Sequence, residues 1–197
     1  EVKTKNAFEG IKKDLRKIKS ALKILETLAG INEGSEYQEL YDMGKKTLIE
    51  IEKNAESTEK ENIDTIFEIF LIQFLDKVGS IPQITHCEGC HTKVEFSKEK
   101  VWNPTETTCE KCEQENKIRQ SGNQKNTEKK YHDRYRKLIH FLKMNTYEET
   151  KKIRIEKSDK EVLKEITKKY WTSAGNEELK SAMIDIHAEL LIPVRAG

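Results

Sequence analysis

The sequence predicts a mainly α chain. A three-helix bundle is expected over residues 1–80, a treble-clef-like four-cysteine zinc finger with a small β-hairpin over 81–121, and a helical region over 122–197. Three observations carry this. Only 3 Pro and 9 Gly stand among 197 residues, so few positions break a helix. Apolar residues recur at alternating steps of three and four, the helix period. The only four cysteines stand as Cys87-x2-Cys90-x18-Cys109-x2-Cys112.

Phe8, Ile11, Leu15, Ile18, Leu22 and Leu25 form a heptad seam on a helix expected from Asn6 to Ala29, stopped by Gly30. Ser35 and Gln38 make a capping-box pattern. Tyr37, Tyr41, Gly44, Leu48, Ile51 and Ala55 then repeat the rhythm, so the first two segments read as a helical hairpin. The third segment carries Ile63, Ile66, Phe67, Ile69, Phe70, Leu71, Phe74, Leu75 and Val78. It is apolar nearly all round and is the expected centre against which the first two helices pack. The seam also has the form of a dimer contact, but two and a half heptads with a hairpin partner point to packing inside the chain.

Gly79-Ser80-Ile81-Pro82 ends the third helix. Lys93–Phe96 and Lys100–Trp102 read as the two strands of a hairpin around Ser97-Lys98-Glu99. From Cys109 to Ile118 no breaker intervenes, so the second knuckle opens a helix. A polar hinge follows at Ser121–Asn126. Beyond it Tyr131, Tyr135, Leu138 and Leu142 share a helical face. Ser158 with Glu161 forms a second capping box before Val162, Ile166 and Tyr170. Asn176 opens a last helix with Leu179, Met183, Ile186 and Leu190 inward, ended by Pro193.

The cysteine spacing brings four thiolates to one tetrahedron, the geometry Zn²⁺ accepts from sulfur. Two disulfides are the rival reading, but nothing in the chain suggests a secretory route. Zinc on Cys87, Cys90, Cys109 and Cys112 is therefore the expected cofactor. With four sulfur ligands it has no open position for water, so it builds structure. Free thiolates suit a reducing compartment, nucleus or cytoplasm. His86 and His91 flank the first knuckle and read as surface histidines beside a complete ligand set. Phe96 and Trp102 read as the finger's miniature core, with base stacking as the alternative.

The motif Cys87-Glu88-Gly89-Cys90 … Asn103-Pro104-Thr105 … Cys109-Glu110-Lys111-Cys112 resembles the zinc finger of the DksA/TraR family. That resemblance implies a transcription factor acting on RNA polymerase without reading DNA. The insert length and Trp102 are more distantly similar to GATA-type fingers. Both likenesses are confined to the cysteine segment.

Charged residues make up 36% of the chain, yet the net charge is only +1, which excludes a protein that coats DNA along its whole surface. The charge is unevenly placed: residues 1–80 hold 13 Lys/Arg against 16 Asp/Glu, and residues 113–197 hold 19 against 14. Between Asn116 and His140 eight cations face only Glu128 and Asp133. Lys117, Arg119, Lys129, Lys130, Arg134, Arg136 and Lys137 are the candidate phosphate contacts, with Tyr131 and Tyr135 placed to stack. A solvated helix face is the plainer reading of the same residues. His132-Asp133 lacks any accompanying nucleophile or phosphate loop, and no enzyme is expected. No apolar run reaches membrane-spanning length. The chain opens on Glu1, as a fragment or processed product would. The expected function is a zinc-stabilised nucleic-acid-associated module of a larger transcription, chromatin or genome-maintenance protein. The alternative is a scaffold in which zinc joins two helical bundles and a protein partner docks, RNA polymerase among the candidates. Oligomeric state is open.

Overall fold

The computed structural model describes residues 8–29, 37–53, 61–97, 99–119, 129–150, 153 and 155–173. Two compact units divide the chain: Glu1–Phe74 with Ala174–Gly197, and Leu75–Ser173. The expected capping box at Ser35, the hinge at Ser121–Asn126 and the last helix after Asn176 lie outside the described residues.

In the first unit the expected opening helix is two. Helix α1 (Glu9–Lys12) stops, and α2 (Leu15–Ala29) starts afresh. Asp14 is the cause. Its Oδ1 accepts the Arg16 N–H at 2.9 Å and its carbonyl accepts the Ile18 N–H at 3.0 Å, which makes it an N-cap. Helix α3 (Tyr37–Lys53) packs on α2, and the contact turns α2 away from the expected orientation. Lys17, Ser20, Ala21, Ile24 and Thr27 are buried, whereas Leu15, Leu22 and Leu25 are 67%, 50% and 50% exposed. The seam read as the inward face is thus corrected on α2, where Leu15, Leu22 and Leu25 turn outward, while Ile11 of α1 is buried as expected. Small side chains explain the choice: a Cβ at Gly44 of α3 would collide with Leu28 Cδ1, so the helices approach closely only along this face. Lys17 is 1% exposed, and its Nζ donates to the Glu52 carbonyl at 3.2 Å, a cation satisfying the last turn of α3.

Helix α4 (Glu61–Lys77) is buried nearly all round, as its composition requires: Ile66, Phe70, Ile72, Phe74 and Leu75 are each at most 1% exposed. It ends where Gly79, at φ 72°, takes the left-handed turn that a side chain disfavours. The Ser80 N–H then reaches back to the Leu75 carbonyl at 2.8 Å in a Schellman cap.

The second unit holds the cysteines. Strand β1 (Val101–Trp102) leads to helix α5 (Glu110–Arg119), and strand β2 (Tyr131–His132) runs directly into α6 (Asp133–Met144). The short α7 (Tyr147–Thr150) and then α8 (Lys157–Ser173) follow. β1 pairs antiparallel with β2, in register Val101 opposite His132 and Trp102 opposite Tyr131. The expected hairpin between 93–96 and 100–102 is therefore corrected: the sheet joins the finger to chain beyond the hinge. The carbonyls of Val94 and Glu95 accept from the Arg136 guanidinium, so they are committed elsewhere. Around α6 the unit buries Ile84, Trp102, Tyr135, Ile139, Leu142, Leu163, Ile166, Tyr170 and Trp171. At α7 a T-x-x-E box forms, with Glu149 Oε2 accepting the Thr146 N–H at 2.8 Å. No helix among the described residues is long and apolar enough to cross a membrane.

Candidate metal centre

The first knuckle is a tight loop. The Cys87 N–H donates to the Thr92 carbonyl at 2.8 Å, and the His91 N–H donates back to the Cys87 carbonyl at 2.8 Å. His91 takes φ 58° to close it. A Cβ on Gly89 would press on Cys112 Sγ at 3.3 Å, so the bare glycine lets the first knuckle approach the second. The second knuckle runs into the first turn of α5, and the Cys112 N–H points at Cys109 Sγ, 3.5 Å away. The Glu88 N–H donates to the Thr107 carbonyl at 2.9 Å, lashing the two knuckles together through the backbone.

The four Sγ atoms lie within 4.8 Å of one another, and Cys90 and Cys109 approach to 3.5 Å. Zn–S bonds of about 2.3 Å in a tetrahedron set S···S separations of roughly 3.8 Å, so this cage fits the ion. Among the described residues no His, Asp or Glu joins the cluster. His86 Nδ1 lies 3.0 Å from the Thr85 hydroxyl and His91 is exposed.

Crowding of thiols splits their acidities. The Thr92 hydroxyl, 3.0 Å from Cys90 Sγ, leads the causes that pull Cys90 down to about 6. Hydrogen bonds to Cys109 and then Cys90 push Cys112 up to about 12. Burial opposes ionisation of Cys87, but backbone N–H groups of Cys109, Cys90 and Gly89 outweigh it and lower its pKa. Four sulfurs this close together suit a divalent cation, and a bound metal deprotonates such thiols outright.

Two supports hold the cage. Trp102 is 5% exposed, and its Nε1–H donates to Thr107 Oγ1 at 3.3 Å, so it is core just ahead of the second knuckle. Arg136 on α6 is the second. It is 2% exposed and all five of its N–H donors are taken. Nε donates to Asp133 Oδ1 at 2.5 Å and Nη2 to Asp133 Oδ2 at 3.1 Å. Nη1 donates to the carbonyls of Ile84 at 3.0 Å and Val94 at 3.3 Å, and Nη2 to that of Glu95 at 2.8 Å. The guanidinium stacks on Phe96 at 4.5 Å, and Asp133 Oδ2 accepts the Ser97 N–H at 2.6 Å. Arg136, expected to meet a phosphate, instead clamps the segment after the first knuckle to α6. Asp133 belongs to that clamp, which removes it from any pairing with the exposed His132.

The other expected phosphate contacts sit among carboxylates. Lys129 meets Glu165 at 2.6 Å, Lys130 meets Glu113 at 3.4 Å, and Arg134 meets Asp159 at 2.6 Å. Lys137 is exposed on α6. Lys117 and Arg119 fall on α5, with side chains outside the described part. Tyr131 is 5% exposed, with Lys129 and Lys169 over its ring at 5.4 and 5.2 Å, and burial raises its phenol pKa. Tyr135 is 8% exposed under Arg134, so neither ring faces outward for a base. Beside the second knuckle runs a cleft of about 750 Å3 lined by Lys93, Lys100, Lys111 and Lys130, but equally by Glu95, Glu106, Glu110 and Glu113. The charge there is a mosaic. Sequence reasoning missed the Asp133–Arg136 clamp, although an Asp and an Arg three apart on one helix is a local pairing signal.

A family model described as recombination protein O C terminal matches residues 12–182, and the chain belongs to that family. Neither the curated proteins nor the solved structures yield a match. The family match overturns the resemblance to DksA/TraR fingers. It spans helices on both sides of the cysteines, whereas that resemblance rested on Cys87–Cys112 alone.

Proposed function

We propose that this member of the recombination protein O C-terminal family is a non-enzymatic, zinc-stabilised module of a DNA recombination or repair protein, working in a reducing compartment. The match over residues 12–182 is the observation that carries the genome-maintenance reading. The four-sulfur cage supports zinc on Cys87, Cys90, Cys109 and Cys112. The ion supplies no chemistry beyond cross-linking; the knuckles, Trp102 and Arg136 orient its ligands. DNA contact falls to Lys117, Arg119, Lys129, Lys130, Arg134 and Lys137. Exposed ion pairs such as Lys129–Glu165 contribute only about 0–1 kcal/mol each, so a phosphate can replace the carboxylate at little cost. Contact of this kind is weak, backbone-directed and blind to sequence.

A second reading, a protein-docking module, is favoured by the balanced charge of the cleft beside the second knuckle. Fluorescence anisotropy on single- and double-stranded DNA separates the two. Binding at about 50 mM salt that falls steeply by about 200 mM is expected from counterion release. The quadruple charge reversal of Lys129, Lys130, Arg134 and Lys137 should weaken binding to unrelated sequences alike while zinc content stays at one equivalent. No binding at about 50 mM salt would leave protein docking as the function.

A further inference from the structure

The four cysteines are unequal in their access to solvent, although a structural metal would use them alike. Cys90 is exposed, Cys109 and Cys112 are partly exposed, and Cys87 has no exposure. They also differ in how firmly the backbone holds them. Cys87 is pinned by its N–H on the Thr92 carbonyl and by the His91 N–H on its own carbonyl, each at 2.8 Å. Cys112 lies inside the first turn of α5. Cys90 stands in the turn of the first knuckle between exposed Gly89 and exposed His91, and Cys109 precedes α5. Their Sγ atoms are 3.5 Å apart. Cys109 also lines the open cleft of about 750 Å3 beside the second knuckle, so a small oxidant reaches this pair from solvent.

We propose that Cys90 is a peroxide-reactive site, and that its oxidation to a Cys90–Cys109 disulfide takes two ligands from the cage and releases its zinc. This rests on the zinc reading given above. The Cys90 thiolate attacks one oxygen of hydrogen peroxide, the O–O bond breaks, and hydroxide departs to leave a sulfenic acid. The Cys109 thiolate then attacks that sulfur, forming the S–S bond as the S–O bond breaks and a second hydroxide leaves. Two thiolates give up two electrons, and one peroxide takes them. Cys87 is the poorer partner, because it has no exposure and its backbone is fixed on both sides. Cys87 and Cys112 alone are half of the four-sulfur set that a structural zinc requires. The new bond still joins the two knuckles, so thiol reductant and zinc can rebuild the cage.

Zinc-loaded full chain treated with about 1 mM hydrogen peroxide, with a chromogenic chelator recording free zinc, tests the proposal. One zinc equivalent should appear as two thiols per chain disappear. Trypsin cuts after Lys77, Lys93, Lys100, Lys111 and Lys117, which puts Cys109 and Cys112 on separate peptides. Mass mapping after alkylation should find residues 78–93 linked to 101–111, with fragmentation placing the bond on Cys90 and leaving Cys87 alkylated. Dithiothreitol with added zinc should restore all four thiols. Before peroxide, limiting N-ethylmaleimide should label Cys90 at least about fivefold faster than Cys87. Equal labelling of the two overturns the inference. So do disulfides confined to Cys87–Cys90 or Cys109–Cys112, a Cys90 that ends as sulfinic acid, or four thiols that survive with zinc in place. Protein that purifies without zinc refutes the zinc reading itself and this inference with it, a result distinct from zinc that is bound and not released.

Discussion

Replacing Arg136 by Met strikes the clamp between the cysteine segment and α6 while keeping much of the side-chain volume. Asp133 is 4% exposed at its side chain, so the substitution strands a buried carboxylate whose remaining contact is the Ser97 N–H. Breaking one side of a buried ion pair costs about 3–5 kcal/mol. The Ile84 carbonyl, on a residue with no exposure, loses its donor as well, at about 1–3 kcal/mol. The carbonyls of Val94 and Glu95 sit on partly or fully exposed residues, where water replaces the guanidinium at little cost. The sum is roughly 4–8 kcal/mol, a large part of the about 5–15 kcal/mol that holds a domain. Both tryptophans, Trp102 and Trp171, are buried in the second unit, so their fluorescence during urea unfolding of zinc-loaded protein reads that unit alone. Far-UV circular dichroism reads the whole chain. The fluorescence midpoint should fall sharply. The double variant Asp133→Asn with Arg136→Met should recover about 1–3 kcal/mol of the loss, because no charge is then stranded. A loss under about 1 kcal/mol, together with weakened DNA binding, would refute the clamp and make Arg136 a phosphate contact.

Cys109→Ser, or chelation, should remove the single zinc equivalent by metal analysis and unfold the second unit, since structural zinc contributes about 10–16 kcal/mol in finger peptides. Helical signal from the first unit should persist on its own apolar core; simultaneous loss of both signals would show one cooperative unit. His140 stacks on Phe96, and burial, with Lys143 and Arg136 nearby, lowers its pKa below the ordinary value near 6.5. Between that lowered value and about 6.5 the unfolded chain binds the extra proton, so stability should fall as pH drops through this window. His140→Gln in zinc-saturated protein should flatten that part of the melting-temperature profile relative to wild type, and parallel profiles would show that His140 does not titrate against folding.

The recombination family became visible only through a match across most of the chain, because four cysteines at this spacing serve many fingers and say little about descent. The sequence by itself determined the helical class, the clustering of the four cysteines, the buried α4 and the Gly79 stop. These are local properties: periodicity, spacing and the conformational freedom of one glycine decide them without knowledge of distant residues. Asp14 as an N-cap was also legible, in the polar residue just before Leu15, but the continuous heptad pattern masked it. Tertiary structure alone decided which face of α2 turns inward, because two faces of that helix satisfy the three-four rhythm and only Gly44 on another helix selects between them. It decided the partner of β1 as well, since strand pairing depends on which carbonyls are free, and Arg136, more than forty residues away in sequence, occupies those of Val94 and Glu95. It also decided the fate of the basic segment. A run of cations reads from sequence as a surface for phosphates, but charge is cancelled in space, and Glu113, Asp159 and Glu165 reach Lys130, Arg134 and Lys129 only once the chain has folded.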